Sequence, residues 1–108
     1  MLPESIEIGP ISYKIEHNRD AVTRWRAAEG DPYLAGTIRY RESIIAIDPD
    51  LPLGQKRLAL LHEVVHGVLQ MLGINAVNNE DVVTPVASLL LDTLRRNPAL
   101  VAFLTEEA

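Results

Sequence analysis

Residues 58–69 read LALLHEVVHGVL, an apolar, helix-forming run with three polar side chains at its centre. Those three, His62, Glu63 and His66, form the pattern H-E-x-x-H. Residues four apart on an α-helix lie about 40° apart around the axis, so both histidines can share one metal ion. Glu63 points about 100° away from His62, where a general base for a metal-activated water belongs. The pattern predicts a metal centre; the alternative is two partly buried histidines satisfied by neighbouring carbonyl groups.

The helix that carries this pattern is predicted to begin near Gly54 and to run to Leu72, with Gly73 as its stop. Gly67 lies inside it, at a cost of roughly 1 kcal/mol against alanine. We expect this glycine to let a strand or the metal site approach closely. Apolar residues that recur at i, i+3 and i+7 predict the buried face: Leu58, Leu61, Val65, Val68, Leu69 and Leu72.

The composition predicts one globular domain spanning residues 1–108, with 47 % apolar and 23 % charged residues. The chain has no cysteine, so any metal must be held by His, Asp or Glu. No secretory signal is visible at the N-terminus, and no apolar run reaches the ~18 residues of a membrane helix. We therefore expect a cytoplasmic protein without a membrane partner. The net charge of −5 and scattered arginines argue against a nucleic-acid partner.

The first half of the chain has the alternation of β-strands. Residues 6–8 and 11–16 alternate apolar and polar side chains around Gly9-Pro10. Residues 34–48 predict a β-hairpin that turns near Glu42-Ser43. The predicted fold class is therefore α+β, a small antiparallel sheet with a hairpin packed on the central helix and followed by one or two further helices.

Three shorter helices complete the prediction. Residues 20–29 predict a helix with Asp20 as N-cap, before the central helix. Two helices follow the central helix. Asn79 can cap the first of them, and Asn97 can cap the other, with Pro98 at its first position. The helix capped by Asn79 has an apolar stripe of Val83, Val86, Ala87, Leu90 and Leu94.

A catalytic zinc site needs three protein ligands and one open position. His62 and His66 supply two, so a carboxylate on a neighbouring element should be the third. Glu80 and Asp81 open the next helix, and either could bind the metal or simply complement the helix dipole. Zinc suits two imidazoles and a carboxylate, although Mn, Co or Ni fits the same ligands.

These motifs resemble the small gluzincins of the ImmA/IrrE-like metallopeptidase group, many of which are carried by phages and mobile elements. In that group a hairpin leads into an H-E-x-x-H helix, and the next helix supplies a ligand Glu in a pattern similar to E-x-x-A-x-x-[FV]-A-x-x-L. The stretch GTIRYRESIIAIDPDL, which precedes QKRLALLHEVVHG, is also similar to the segment that leads into the motif in that group. The resemblance covers roughly residues 36–104. The spacings of the ligand pattern fall on Glu80, Val83, Val86, Ala87 and Leu90.

The resemblance implies a zincin-like core, with zinc held by His62, His66 and Glu80 and with Glu63 as the catalytic base. It implies a hydrolase that cleaves a peptide or protein substrate, and some relatives cleave transcriptional repressors. The group also places an acid one turn after the ligand Glu, where this chain has Thr84. Asp48 and Asp50 are therefore candidates to support the ligands.

Pro85 departs from the group's pattern, as does Val83 in place of a small residue. Proline in a helix interior costs roughly 3 kcal/mol. The sequence predicts either a kinked helix or a single turn bearing Glu80 before a helix that starts at Thr84-Pro85.

Two other functions compete with a peptidase: a catalytically idle metal-binding domain that acts by binding a protein, and a metal-free helical interaction module with an accidental motif. The oligomeric state is not predicted. A peptidase needs a donor for the oxyanion, and the candidates are Tyr33, Tyr40, Arg39 and His17.

Overall fold

A computed structural model describes residues 1–106 and confirms an α+β fold. The described residues form a four-stranded sheet, four α-helices and one 3₁₀ turn. In chain order the elements are β1 (Ser5–Ile8), β2 (Ile11–Glu16), α1 (Arg19–Glu29), β3 (Gly36–Arg39), β4 (Ile44–Ile47), α2 (Leu53–Leu72), the 3₁₀ turn (Asn75–Val77), α3 (Glu80–Arg96) and α4 (Pro98–Thr105).

The sheet is mixed, so the prediction of an antiparallel sheet was wrong at one pair of strands. The strand order is β1-β2-β4-β3. The pairs β1–β2 and β4–β3 are antiparallel, whereas β2 and β4 are parallel, with Ile15 opposite Ile45. Helix α1 carries the chain from β2 to the far edge, and the hairpin then returns β4 to the centre. As a result, β3 is an edge strand.

One face of the sheet packs on α2. The core consists of Ile8, Tyr13, Ile15, Ile45 and Ile47, and Ala59, Leu60 and Val64 of α2 pack against it. The predicted buried face of α2 was wrong in part. Leu58, Val68 and Leu72 are exposed, and Leu61, Val65 and Leu69 are half-buried. The two buried residues of the helix are Glu63 and Gly67. Apolar periodicity did not predict this face, because the residues of α2 that face the sheet include a carboxylate and a glycine.

Gly67 has the role that the sequence predicted. A Cβ atom at this position would lie 2.6 Å from Ile8 Cδ1 and 3.1 Å from Ile38 Cδ1. The missing side chain therefore lets the sheet approach the helix at the turn that carries His66. Helix α2 ends at Gly73, whose φ of 70° is the left-handed conformation that glycine favours.

Helix α1 begins one residue earlier than predicted, and its N-cap is Asn18 rather than Asp20. The Asn18 side chain accepts a hydrogen bond from the backbone N–H of Ala21, while Asp20 lies inside the first turn. Arg26 of this helix binds the carbonyl oxygen of Leu34 and, at 2.8 Å, the carboxylate of Asp48. These contacts fix the loop that leads into β3.

Helix α3 is continuous through Pro85, which excludes a separate helix beginning at Thr84-Pro85. Asn79 caps it as predicted, accepting a hydrogen bond from the N–H of Val82. Val83 and Ala87 are its two buried residues, so only part of the predicted stripe is covered.

Helix α4 begins at Pro98 as predicted and has no buried residue. The Asn97 side chain donates to the carbonyl oxygen of Thr93 instead of capping α4. Within residues 1–106, no helix combines the length and the apolar character needed to cross a membrane.

Candidate metal centre

Three predicted ligands, His62, His66 and Glu80, lie together at the junction of α2 and α3. Their ligand atoms all lie within 4.8 Å of one another. His62 Nε2 is 3.0 Å from Glu80 Oε2, and His66 Nε2 is 2.7 Å from Glu80 Oε1. Both imidazoles therefore direct the same ring nitrogen at one carboxylate. Asp81, the alternative carboxylate, is exposed in the first turn of α3 and does not join the group.

The hydrogen bonding of His66 fits a cation at this place. Its Nδ1 lies 2.7 Å from Asn78 Oδ1, so both of its ring nitrogens face an oxygen atom. A neutral imidazole has one N–H for these two oxygens. With the proton on Nδ1, the contact between Nε2 and Glu80 needs a positive charge between the two atoms. A proton or a metal ion supplies it, so this donor set fits a metal with nitrogen and oxygen ligands.

Asn78 is a residue of the site that sequence reasoning missed. It belongs to the connection between α2 and α3, and its Nδ2 donates a 3.2 Å hydrogen bond to the hydroxyl of Tyr40. The only sequence signal was a polar residue two positions before Glu80 in an otherwise irregular segment. The predicted supports were wrong, because Asp48 pairs with Arg26 and Asp50 with Arg19.

Glu63 lies beside the three ligands, with 7 % of its surface exposed. Burial raises the pKa of this carboxyl to about 8, with smaller contributions from the negative charges of Glu80 and Glu29. Gly36 on β3 lies next to it, but a Cβ atom there would be at an ordinary 3.4 Å from Glu63 Oε2 and would be tight only against the Ala46 carbonyl oxygen and Ile47 Cδ1, both at 3.1 Å. The depth at which Glu63 is buried was not visible in the sequence.

A cleft of about 590 Å³ opens between the edge strand β3 and α2. His62, Glu63, His66 and Glu80 all line it. Of the four candidate oxyanion donors, Tyr40 alone lines this cleft. Tyr33 is 88 % exposed, Arg39 pairs with Glu29 and Glu42, and His17 lines a separate depression.

Burial also raises the pKa of the Tyr40 hydroxyl, and the carboxylates of Glu63 and Glu80 add to the rise, whereas its hydrogen bond with Asn78 lowers it. Tyr40 therefore keeps its proton and can donate a hydrogen bond into the cleft. The cleft thus brings together a ligand set, a buried carboxyl and a neutral hydroxyl donor.

Comparisons of this chain with models of protein families, with curated proteins and with solved structures gave no match. The resemblance to ImmA/IrrE-like gluzincins therefore stays a prediction based on the motifs quoted above.

Proposed function

We propose that this protein is a zinc-dependent metallopeptidase that hydrolyses a peptide or protein substrate. The observation that carries the proposal is the convergence of His62, His66 and Glu80 beside a buried Glu63. These residues come from two helices, and nothing in the folding of a small core requires their polar groups to meet at one cleft.

His62 Nε2, His66 Nε2 and the carboxylate of Glu80 would hold the zinc ion. When bound, zinc lowers the pKa of a coordinated water to about 7 and polarises the scissile carbonyl group. Glu63 accepts a proton at its carboxylate and passes it to the nitrogen of the leaving amine. In the metal-free protein burial raises the pKa of Glu63 to about 8, and the positive charge of a bound zinc ion would lower it, so that the carboxylate could accept a proton.

The substrate is proposed to lie as an extended strand along β3. This strand is an edge of the sheet, and Gly36, Thr37 and Ile38 line the cleft. Main-chain hydrogen bonds to an edge strand align a peptide without requiring a particular sequence. The Tyr40 hydroxyl would then turn its proton from the long 3.5 Å hydrogen bond with the His66 carbonyl oxygen to the oxyanion that forms at the attacked carbonyl.

We place this activity in the cytoplasm and propose a regulatory protein as its substrate, encoded in a phage or mobile-element setting as for the group it resembles. The second candidate is a catalytically idle metal-binding domain that binds a protein partner. It is favoured by exposed apolar side chains on α3 and α4, among them Leu89 and Phe103.

The first experiment measures the zinc content and zinc affinity of the purified protein beside Glu80→Ala. Asp81→Ala is the matched control, because it removes the neighbouring carboxylate from the same helical turn. We expect one zinc per chain in the wild type and in Asp81→Ala, and a loss or strong weakening in Glu80→Ala. A wild type that takes up no zinc would refute both candidate functions.

The second experiment separates the two functions with a peptide-library assay of Glu63→Gln, an isosteric change that keeps the ligands. A peptidase should lose activity by a factor of roughly 10² or more while still binding zinc. If the zinc-loaded wild type cleaves no peptide or protein in the library, or if Glu63→Gln is equally active, the proposed hydrolysis is wrong.

A further inference from the structure

Asn78 stands apart from its neighbours in the chain. Its flanking residues 71–77 and 79–80 are all exposed, whereas Asn78 is half-buried. Its side chain lies between His66 on α2 and Tyr40 directly after β3, which are 12 and 38 residues away in the chain. One amide therefore joins three separate elements at the cleft.

The hydrogen bonds around Asn78 fix the orientation of its amide. The Tyr40 hydroxyl donates a long, 3.5 Å hydrogen bond to the backbone carbonyl oxygen of His66. The oxygen of that hydroxyl is then free to accept from Asn78 Nδ2, at 3.2 Å. Asn78 Oδ1 consequently faces His66 Nδ1 as an acceptor, at 2.7 Å. This arrangement places an imidazole proton on Nδ1, so Nε2 is the ring nitrogen that would bind a metal ion beside Glu80.

We infer that Asn78 is a positioning residue for the zinc site, holding His66 in its ligating tautomer and the Tyr40 hydroxyl on the cleft. The inference rests on the proposed function. Metal-binding histidines generally donate their second N–H to a carboxylate, carbonyl or water, and loss of such a partner typically weakens metal binding 10- to 100-fold. Here the acceptor for the second N–H of His66 is Asn78 Oδ1, and Asn78 Nδ2 orients the hydroxyl of Tyr40.

The first test compares the zinc affinities of four proteins by competition with a chromophoric chelator. Asn78→Leu removes both hydrogen bonds, Asn78→Asp keeps an acceptor for His66 Nδ1, and Asn75→Leu makes the same change elsewhere in the connection. We expect Asn78→Leu to bind zinc 10- to 100-fold more weakly than the wild type, and the other two to stay within about threefold. Equal affinities in all four proteins would overturn the inference and leave the zinc site standing.

The second test reads the tautomer directly and does not depend on zinc. In metal-free Glu80→Ala, His66 Nε2 has lost its carboxylate, so the tautomer reports the partner of Nδ1 alone. Nitrogen-15 NMR of the imidazole at a pH where it is neutral should show the proton on Nδ1, and addition of Asn78→Leu should shift it towards Nε2. A proton on Nε2 in both proteins would mean that the Asn78 amide is reversed, and the inference would fail.

The third test separates the two ends of the amide, with kcat and KM measured on any peptide that the zinc-loaded wild type cleaves. Tyr40→Phe should lower kcat roughly tenfold or more, with zinc affinity within about threefold of the wild type. Asn78→Asp, which restores the partner of His66 and loses the donor to Tyr40, should show the same pattern. A full kcat in Asn78→Asp would show that the hydroxyl of Tyr40 needs no support from residue 78.

Discussion

Helix α2 is covered on two sides, and the two sides differ in how well they are packed. Towards the sheet it meets a core in which Ile45 and Ile47 have no exposed surface. Towards α3 it meets a helix with two buried residues, Val83 and Ala87, and α4 beyond it has none. More of the apolar burial that stabilises the fold therefore lies between the sheet and α2 than between α2 and α3.

The site lies on the boundary between these two regions. His62 and His66 belong to the helix that is anchored on the sheet, whereas Glu80 belongs to the first turn of the less buried α3. Val83 and Ala87, which hold α3 in place, lie one and two turns after Glu80. A bound metal would thus join the weakly packed region to the strongly packed one at the place where they already touch.

The largest effect is expected from Ile45→Ala, in the centre of the sheet. This change removes a completely buried side chain and should lower the free energy of unfolding by roughly 2 to 5 kcal/mol. Urea denaturation of the metal-free protein measures it. Leu89→Ala on α3 is the control, because Leu89 is 68 % exposed and its loss should cost under about 0.5 kcal/mol. Similar losses for both variants would abolish the contrast between the two regions.

The next effect concerns the buried carboxyl of Glu63 and depends on pH. The pKa of Glu63 is raised from 4.5 to about 8 in the folded protein. The folded state therefore binds more protons than the unfolded state between these values, and this contribution to stability is lost as the pH rises through 8. Glu63→Gln removes the dependence. Between pH 4.5 and 9, the free energy of unfolding of Glu63→Gln should rise by roughly 2 to 4 kcal/mol relative to that of the metal-free wild type.

Urea denaturation of both proteins in a chelator, at several pH values, tests this prediction. If the stabilities of the wild type and Glu63→Gln follow parallel curves with pH, the carboxyl is not held in its neutral form by the fold.

Zinc binding should stabilise α3 more than it stabilises the sheet. At a free concentration a hundred times its Kd, a ligand that binds only the folded protein adds about 2.7 kcal/mol to the free energy of unfolding. Because Glu80 is the ligand from α3, we expect hydrogen exchange to slow most in the amides around Val83 and Ala87. The core strand β4 should change least beyond the global effect. Glu80→Ala should remove the difference, and uniform protection in the wild type would contradict it.

Features that depend on residues close together in the sequence could be predicted, whereas features that depend on contacts between distant elements could not. Local rules were sufficient for the hairpin, for the C-terminal end of α2 at Leu72 and Gly73, for the cap at Asn79 and for the start of α4 at Pro98, whereas the predicted cap by the Asn97 side chain was wrong. They failed for the buried face of α2, since the sheet covers Glu63 and Gly67 instead of the leucine stripe. That outcome depends on contacts with distant strands, which apolar periodicity does not register.

The same distinction explains the site. The spacing of His62 and His66 is a property of one helix, so their alignment could be predicted from the sequence alone. The approach of Glu80 was predicted from a family resemblance, and the structure brings it to both imidazoles despite Pro85. Asn78 acts on the site only through the tertiary fold. An asparagine occurs in many loops, so a polar residue two positions before Glu80 was too weak a signal to predict this contact.

The smallest effect is expected at the far end of the weakly packed region. Phe103 on α4 is 77 % exposed, so Phe103→Ser removes little surface that folding had buried. We expect the free energy of unfolding to change by under about 0.5 kcal/mol and the zinc affinity not to change. Urea denaturation at a dilute and a tenfold higher protein concentration tests both the size of the effect and its cause. A loss above about 2 kcal/mol would show that Phe103 is buried in solution. If that loss grew with protein concentration, the covering surface would be another copy of the chain, since stabilisation by association follows mass action.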